Sequence, residues 1–240
     1  MKLYGKRPVS ERVKVNPKTI RKILVDKDFS DTETLNLARK NKVRVEKVHS
    51  GQFCKFAKGK NAQGIIAEVE EYNYDDFDEM LSLERHYRPI MVFFDGLTDP
   101  QNLGSIIRTY ACLGGFCIVL PKRGSVDVNE TVLRVASGGE NYVPICQVSN
   151  LSNSVLKAKK EGYSIGATVV EGGKSLREAD FQYPVGLILG SEGSGIRLIL
   201  EKYVDYWLTI PMCDAGLSFN VAVSAAIFGY ELACRRLQKE

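Results

Sequence analysis

Two histidines, one tryptophan and four methionines are all that 240 residues hold of those types. His49 and His86 stand apart, and the six cysteines, at 54, 112, 117, 146, 213 and 234, are scattered singly without a C-x-x-C pair. No spacing in that set suits zinc or iron, so no metal is expected. Isolated cysteines in a chain this long also argue against a disulfide framework. Several lie inside apolar runs, as in Gly115-Phe-Cys-Ile-Val119, where a thiol acts as a small core hydrophobe. Long apolar runs are missing too: nothing approaches the ~18 residues that a membrane span needs. The basic start, Met1-Lys-Leu-Tyr-Gly-Lys-Arg-Pro8, has no apolar stretch behind it to act as a signal. The expectation is a soluble, cytoplasmic protein with no membrane partner, and no internal repeat or low-complexity segment complicates it.

What is present is ordinary globular material, 44% hydrophobic and 26% charged, with an uneven charge distribution. Residues 1–60 carry 17 Lys and Arg against 6 Asp and Glu, a net of +11. The remaining 180 carry 16 against 23, a net of −7. Such asymmetry points to a polyanion bound by the basic part, or to a basic solvated face. Between the two lies EVEEYNYDDFDEMLSLE, residues 68–84, with eight acids and no basic residue. That composition shift divides the chain into a small domain over 1–72, an acidic linker over 73–88 and a larger domain over 89–240.

In the small domain, 19–25, 43–48 and 64–69 pattern as strands, and Thr32–Lys40 as a helix capped by Asp31 or Thr32. From Pro89 onward, apolar runs at 90–94, 116–120, 164–168, 185–189 and 206–210 alternate with helical stretches at about 102–113, 128–137, 151–161, 195–203 and 219–237. Strands apolar on both faces and separated by helices predict an α/β fold with a parallel sheet covered on both sides. The last helix is apolar nearly all round at its start, which suits deep burial or a subunit interface.

Three glycine-rich loops invite a chemical reading. GGKSL at 172–176 has the tail of a P-loop, but the first glycine of that motif would fall at Thr168. It reads as a plain loop. LGSEGSGI at 189–196 spaces its glycines as G-x-x-G-x-G, which is not a dinucleotide turn and fits a tight strand-to-helix connection. Glu192 nevertheless stands at a strand's carboxyl end, where open α/β sheets bind ligands, and a carboxylate there needs a donor. In IPMCDAGLSFNVAVSAAI, 210–227, Ser218 and Asn220 sit where an N-cap belongs, yet one cap would suffice. DPQNLGSIIRT, 99–109, repeats that excess: Asp99-Pro100 makes the turn, Asn102 can cap, and Arg108 lies mid-helix with no capping role.

Taken in order, DPQNLGSIIRT, LILGSEGSGI and IPMCDAGLSFNVAVSAAI resemble the three motifs of the SpoU (TrmH) family of RNA ribose 2′-O-methyltransferases, and the resemblance covers 89–240. LYGKRPV near the start and QGIIAEV at 63–69 further resemble the subgroup that modifies a guanosine of 23S ribosomal RNA, in which an L30e-like RNA-binding domain precedes the catalytic one. The resemblance implies a SPOUT-type fold with a deep trefoil knot near the C-terminus, a homodimer, and S-adenosylmethionine as cofactor. It places the cofactor against Thr168, Gly190, Ile210, Leu217, Phe219 and Asn220. It assigns Arg108 to the reacting hydroxyl or its neighbouring phosphate, and Asn102, Glu192, Ser218 and Asn220 to a polar network around it, with no metal. Phe219 replaces the family's usual Leu, and Ala222 stands where many members have Ser. The implied substrate is 23S rRNA. The alternatives are tRNA, or a non-catalytic RNA-binding protein of the same fold.

Overall fold

The computed structural model describes all residues except 85, 87, 192, 214–216 and 238–240. The chain opens with β1 (Lys2–Tyr4), α1 (Lys6–Val15), β2 (Ile20–Asp26), α2 (Thr32–Lys40), β3 (Val45–Val48), α3 (Ser50–Ala57) and β4 (Ile65–Val69). They build a four-stranded sheet in the order β1-β4-β2-β3, antiparallel apart from the parallel β2–β3 pair. Asp31 is the residue that caps α2, its carboxylate accepting from the Thr34 amide at 3.2 Å. The periodicity misses β1, α1 and α3. In α1 a proline and several basic residues obscure the apolar face, although Val9 and Val13 lie on it and are buried. Pro8 is harmless there because the first four amides of a helix have no partner within it.

The second unit contains β5 (Ile90–Asp95), α5 (Pro100–Leu113), β6 (Phe116–Pro121), α6 (Glu130–Ala136), β7 (Ile145–Val148), α7 (Leu151–Lys160), β8 (Ser164–Thr168), β9 (Lys174–Ser175), β10 (Val185–Gly190), α8 (Leu198–Glu201), β11 (Tyr206–Thr209) and α9 (Val221–Leu237). Its seven-stranded sheet runs β7-β6-β5-β10-β8-β11-β9 with every pairing parallel, as the apolar strand pattern predicts. Alternation sorts the side chains cleanly. Ile90, Val92 and Phe94 of β5 join one apolar cluster, and Met91 and Phe93 join the cluster on the opposite face. The two short edge strands β7 and β9 are missed by pattern, since two to four residues carry too little periodicity.

Strand order reverses between β5 and β10: from β5 the chain winds outward through β6 and β7, then crosses to β8 on the other side. The carboxyl ends of those two neighbours, Asp95 and Gly190, are paired in register. In open parallel sheets this reversal leaves a crevice where ligands bind.

The acidic stretch expected as a linker over 73–88 contains α4 (Phe77–Ser82). Asp76 caps it by accepting from the Asp78 and Glu79 amides. Asp75 exchanges bonds of 2.9 Å with Ile145 at the sheet edge, and Phe77 and Leu81 are buried against the sheet. Several of these acids therefore serve local structure.

The small unit is seated firmly on α6 and the turn after it. Glu130 accepts from the Lys2 amide, the Tyr4 hydroxyl and the Lys60 ammonium, the last at 2.6 Å. Arg12 pairs with Glu140 at 3.1 Å with both side chains buried. One apolar cluster also runs unbroken from Val9 and Val13 to Ile107 and Val132. Burial alone would raise the Glu130 carboxyl, but the Lys60 hydrogen bond and charge outweigh it and hold it below the usual carboxylate range. A lowered folded-state value means that Glu130 stabilises the native state above the ordinary value of 4.5, and that this contribution is lost as pH falls through the lowered value. The melting-temperature difference between the wild type and Glu130→Gln is expected in full at pH 7 and to shrink below about pH 4.5; a difference independent of pH over that range would refute the assignment.

Candidate active site

The motif loops converge because the helices behind them are locked together. Tyr110 of α5 stacks on Phe116 at 4.4 Å between centroids and donates its hydroxyl to the Ala225 carbonyl of α9 at 3.3 Å. Gly229 lets that ring lie against α9; a Cβ there would come within 2.7 Å of it. With the two helices fixed, their amino-terminal ends meet. The Asn220 side-chain Nδ2 donates to the Asn102 Oδ1 at 3.1 Å, while the Asn220 Oδ1 accepts from the Ala222 backbone amide at 2.8 Å. Asn220 is thus the cap of α9. Asn102 is not the cap of α5: Asp99 takes that place, accepting from the Gln101 amide with Pro100 as first helical residue, because a cap must lie outside the helix and Asn102 is already inside its first turn.

The loop after β10 doubles back on itself. Ser191 and Gly195 exchange backbone bonds of 3.0 and 3.1 Å. A Cβ at Gly190 would stand 2.4 Å from the Gly195 carbonyl carbon, so only glycine fits. The loop is pinned from β5: buried Asp95 accepts from the Arg197 amide at 2.9 Å and from its Nε at 2.7 Å, and forms an ion pair with an Nη at 2.6 Å. This pair went unnoticed in the sequence. Like Glu192 as read from the sequence, Asp95 is a carboxylate at the carboxyl end of a buried strand. Glu192 itself lies outside the described residues.

A cleft of about 240 Å³ opens between the ends of β8, β10 and β11 and the start of α9. Thr168, Gly190, Ile210, Ser218 and Phe219, all expected at the site, line it. Leu189, Trp207, Met212, Ser224 and Phe228, which were not expected, complete an apolar interior with hydroxyls at its rim. Ser224 faces the cleft and Ala222 does not, since two residues turn a helix by about 200°. Leu217 lines a neighbouring recess with Pro211 and Cys213 and is 77% exposed. Asn102 borders a further recess of about 280 Å³, shared with Gly96, Asp99, Ser191 and Val221. Arg108 is brought to none of these: it is exposed on α5, about 240° round the helix from Asn102. GGKSL, expected as a plain loop, carries the edge strand β9. Gly173 packs against the backbone of β11, where a Cβ would approach the Leu208 carbonyl carbon to 2.7 Å.

Residues 89–230 match the SpoU rRNA methylase family, and residues 2–75 match the substrate-binding family of RNA 2′-O ribose methyltransferases. The chain belongs to the SpoU family of RNA methyltransferases. Among its relatives is a TrmH family tRNA/rRNA methyltransferase of Staphylococcus saprophyticus, 33% identical over 239 residues, which cover 98% of this chain and 95% of that one. The fold is shared with the SpoU methyltransferase AviRb of Streptomyces viridochromogenes, solved with AdoMet (TM-score 0.81, 24% identity, 99% of this chain and 91% of that one). It is shared too with an AdoMet-bound rRNA methyltransferase of Sinorhizobium meliloti (TM-score 0.80, 21% identity, 98% and 87%). Among the described residues no helix is long and apolar enough to cross a membrane, and no group of three or more His, Cys, Asp or Glu is placed to hold a metal.

Replacing Arg197 by Ala strands the Asp95 carboxylate beside a lone amide. That should cost about 2 kcal/mol and speed amide exchange in 190–197. Unchanged exchange in that loop would show that the pair does not pin it.

Proposed function

We propose that the protein transfers the methyl group of S-adenosylmethionine to a ribose 2′-hydroxyl of RNA, on a guanosine of 23S rRNA, acting as a cytoplasmic homodimer. The observation that carries this reading is the cleft bounded by the second and third motif loops, with the Asn102–Asn220 pair of the first and third beside it. Its apolar interior at Leu189, Trp207, Ile210 and Phe228 suits a flat aromatic ring, and Thr168, Ser218 and Ser224 offer hydroxyls to a polar tail. Gly190 and Gly195 line the cleft with backbone alone, which admits a ligand close against the chain. The cofactor supplies an activated sulfonium methyl. The chain's residues hold the two reactants, exclude water and ease loss of the hydroxyl proton.

Asn102 and Asn220 fix the loops that face the ribose. Arg108 has no ion pair or side-chain hydrogen bond among the described residues, so its whole donor fork is available to substrate. A guanidinium keeps its proton to pH above 12, and each unit below that costs roughly 1.4 kcal/mol, so proton removal is not its task. Gripping a phosphate with two parallel bonds would hold the ribose in place and favour the developing alkoxide. Its distance round α5 from Asn102 supports delivery to a second chain's site. So do the exposed Val223 and Tyr230 on α9, apolar surface that a dimer would cover. The knot implied by the family fits the strand order, in which β8 lies between β10 and β11, and the backbone approaches at Gly173 and Gly190. The excess of basic residues before residue 60 gives the small unit its affinity for RNA.

Mapping ribose methylation in a strain lacking the protein tests the substrate. One methyl missing from 23S rRNA is expected; a methyl missing from tRNA with rRNA unchanged would overturn that assignment. Arg108→Lys keeps the charge and loses the fork, and turnover should fall at least ~100-fold with cofactor affinity little changed. Near-wild-type turnover would exclude the geometric role.

A further inference from the structure

A separate recess of about 220 Å³ lies across the 190–196 loop from the cofactor cleft, outside the carboxyl ends of β5 and β6. Its lining combines Arg123, Arg197, Asp95, Ser191 and Ser194 with the glycines of the adjoining loops. Three groups there are charged. Asp95 is spent on Arg197, whose Nε and one Nη it engages. The other Nη of Arg197 and the whole guanidinium of Arg123 have no hydrogen-bond or ion-pair partner among the described residues. Among the described residues the lining therefore carries a net charge of about +1.

The serines add a matched donor. Ser191 Oγ and Ser194 Oγ lie 2.7 Å apart, and Ser191 Oγ also accepts from the Ser194 amide at 3.2 Å. Only one hydroxyl proton is used between the two oxygens, which leaves the other free to donate into the recess. The guanidinium of Arg123, the remaining Nη of Arg197 and one hydroxyl offer donors beside an Asp95 carboxylate already engaged by Arg197, a set suited to a singly charged oxyanion. The recess also adjoins the Asn102 recess through shared Gly96 and Ser191. The two loops press together there, a Cβ at Gly96 falling 2.9 Å from the Ser191 Cβ.

We infer that Arg123, Arg197 and the Ser191–Ser194 pair bind a backbone phosphodiester of the RNA, next to the nucleotide being methylated. This rests on the proposed RNA substrate. The same donors would also accept the carboxylate of the cofactor. The phosphodiester is favoured because the recess shares only Ser191 and Gly195 with the cofactor cleft and lies on the far side of the loop from it.

The test measures binding of full-length protein to 23S rRNA transcript over a range of salt concentrations, alongside methyl transfer and calorimetry with S-adenosylmethionine. Arg123→Gln should weaken RNA binding about tenfold at physiological salt. It should also lower the slope of log K against log salt by about 0.7 to 0.9, the loss of one phosphate contact, with cofactor affinity unchanged. Arg123→Lys should restore most of the slope, and Ser194→Ala should weaken binding without altering it. An unchanged slope and affinity in Arg123→Gln would overturn the subsite, and so would lost cofactor affinity with RNA binding intact, which would assign the recess to the carboxylate. Because the readout is binding, it decides the subsite even if the wild type binds RNA and transfers no methyl group, a result that would instead defeat the proposed activity.

Discussion

The site depends on one close approach, the return of the loop after β10 onto its own strand end. With Gly190 packed against the Gly195 carbonyl, no side chain fits between, and the loop becomes a thin wall with a usable surface on each side. One side is the floor of the apolar cleft and the other faces Asn102 and Arg123. A loop so bent needs anchoring, and the buried Asp95 carboxylate supplies it through two hydrogen bonds and an ion pair to Arg197. A carboxylate at that depth is tolerable only because all three donors reach it. Strand β5 and the loop after β10 are thereby fixed at the point where the sheet reverses its winding, the place where open parallel sheets bind ligands.

The helices extend the same constraint. Glycines at 104 and 229 let α5 lie close to α6 and α9, where a methyl group would collide with Val135 or with the Tyr110 ring. The Tyr110 hydroxyl bond to the Ala225 carbonyl sets the level of α9 along α5, and so brings Asn220 to Asn102. Gly139 packs over Arg108 from the turn that also carries Glu140, the buried partner of Arg12. The seat of the small unit and the backbone of the arginine helix thus share one turn. The unit proposed to bind RNA is thereby held in fixed relation to the residue proposed to hold its phosphate.

Much of this was legible from residues alone. The five long apolar strands, the parallel sheet and the helix at 32–40 follow from periodicity, because burial on both faces leaves polar residues nowhere to go. Gly190, Ile210, Ser218 and Phe219 lie in the motifs, Thr168 is added by the family resemblance, and all five line one cleft. The missed features share a cause: their meaning is non-local. Asp95 looks like a strand-ending turn residue until Arg197 is seen beside it, and Arg123 looks like loop charge until Ser191 and Ser194 face it. Asn102 looked like a cap because sequence shows what stands near a helix start but not which residue lies outside it. Short strands such as β7 and β9 owe their conformation to neighbours and carry little signal of their own.

The central claim is that the folded-back glycine loop builds the cofactor cleft, and titration of S-adenosylmethionine into wild type and Gly190→Ala tests it most directly. Wild type should bind with one site per chain. Gly190→Ala, checked by circular dichroism to be folded, should show no binding, because its methyl group would force the loop off the strand end. Equal affinity in the two proteins would contradict the account.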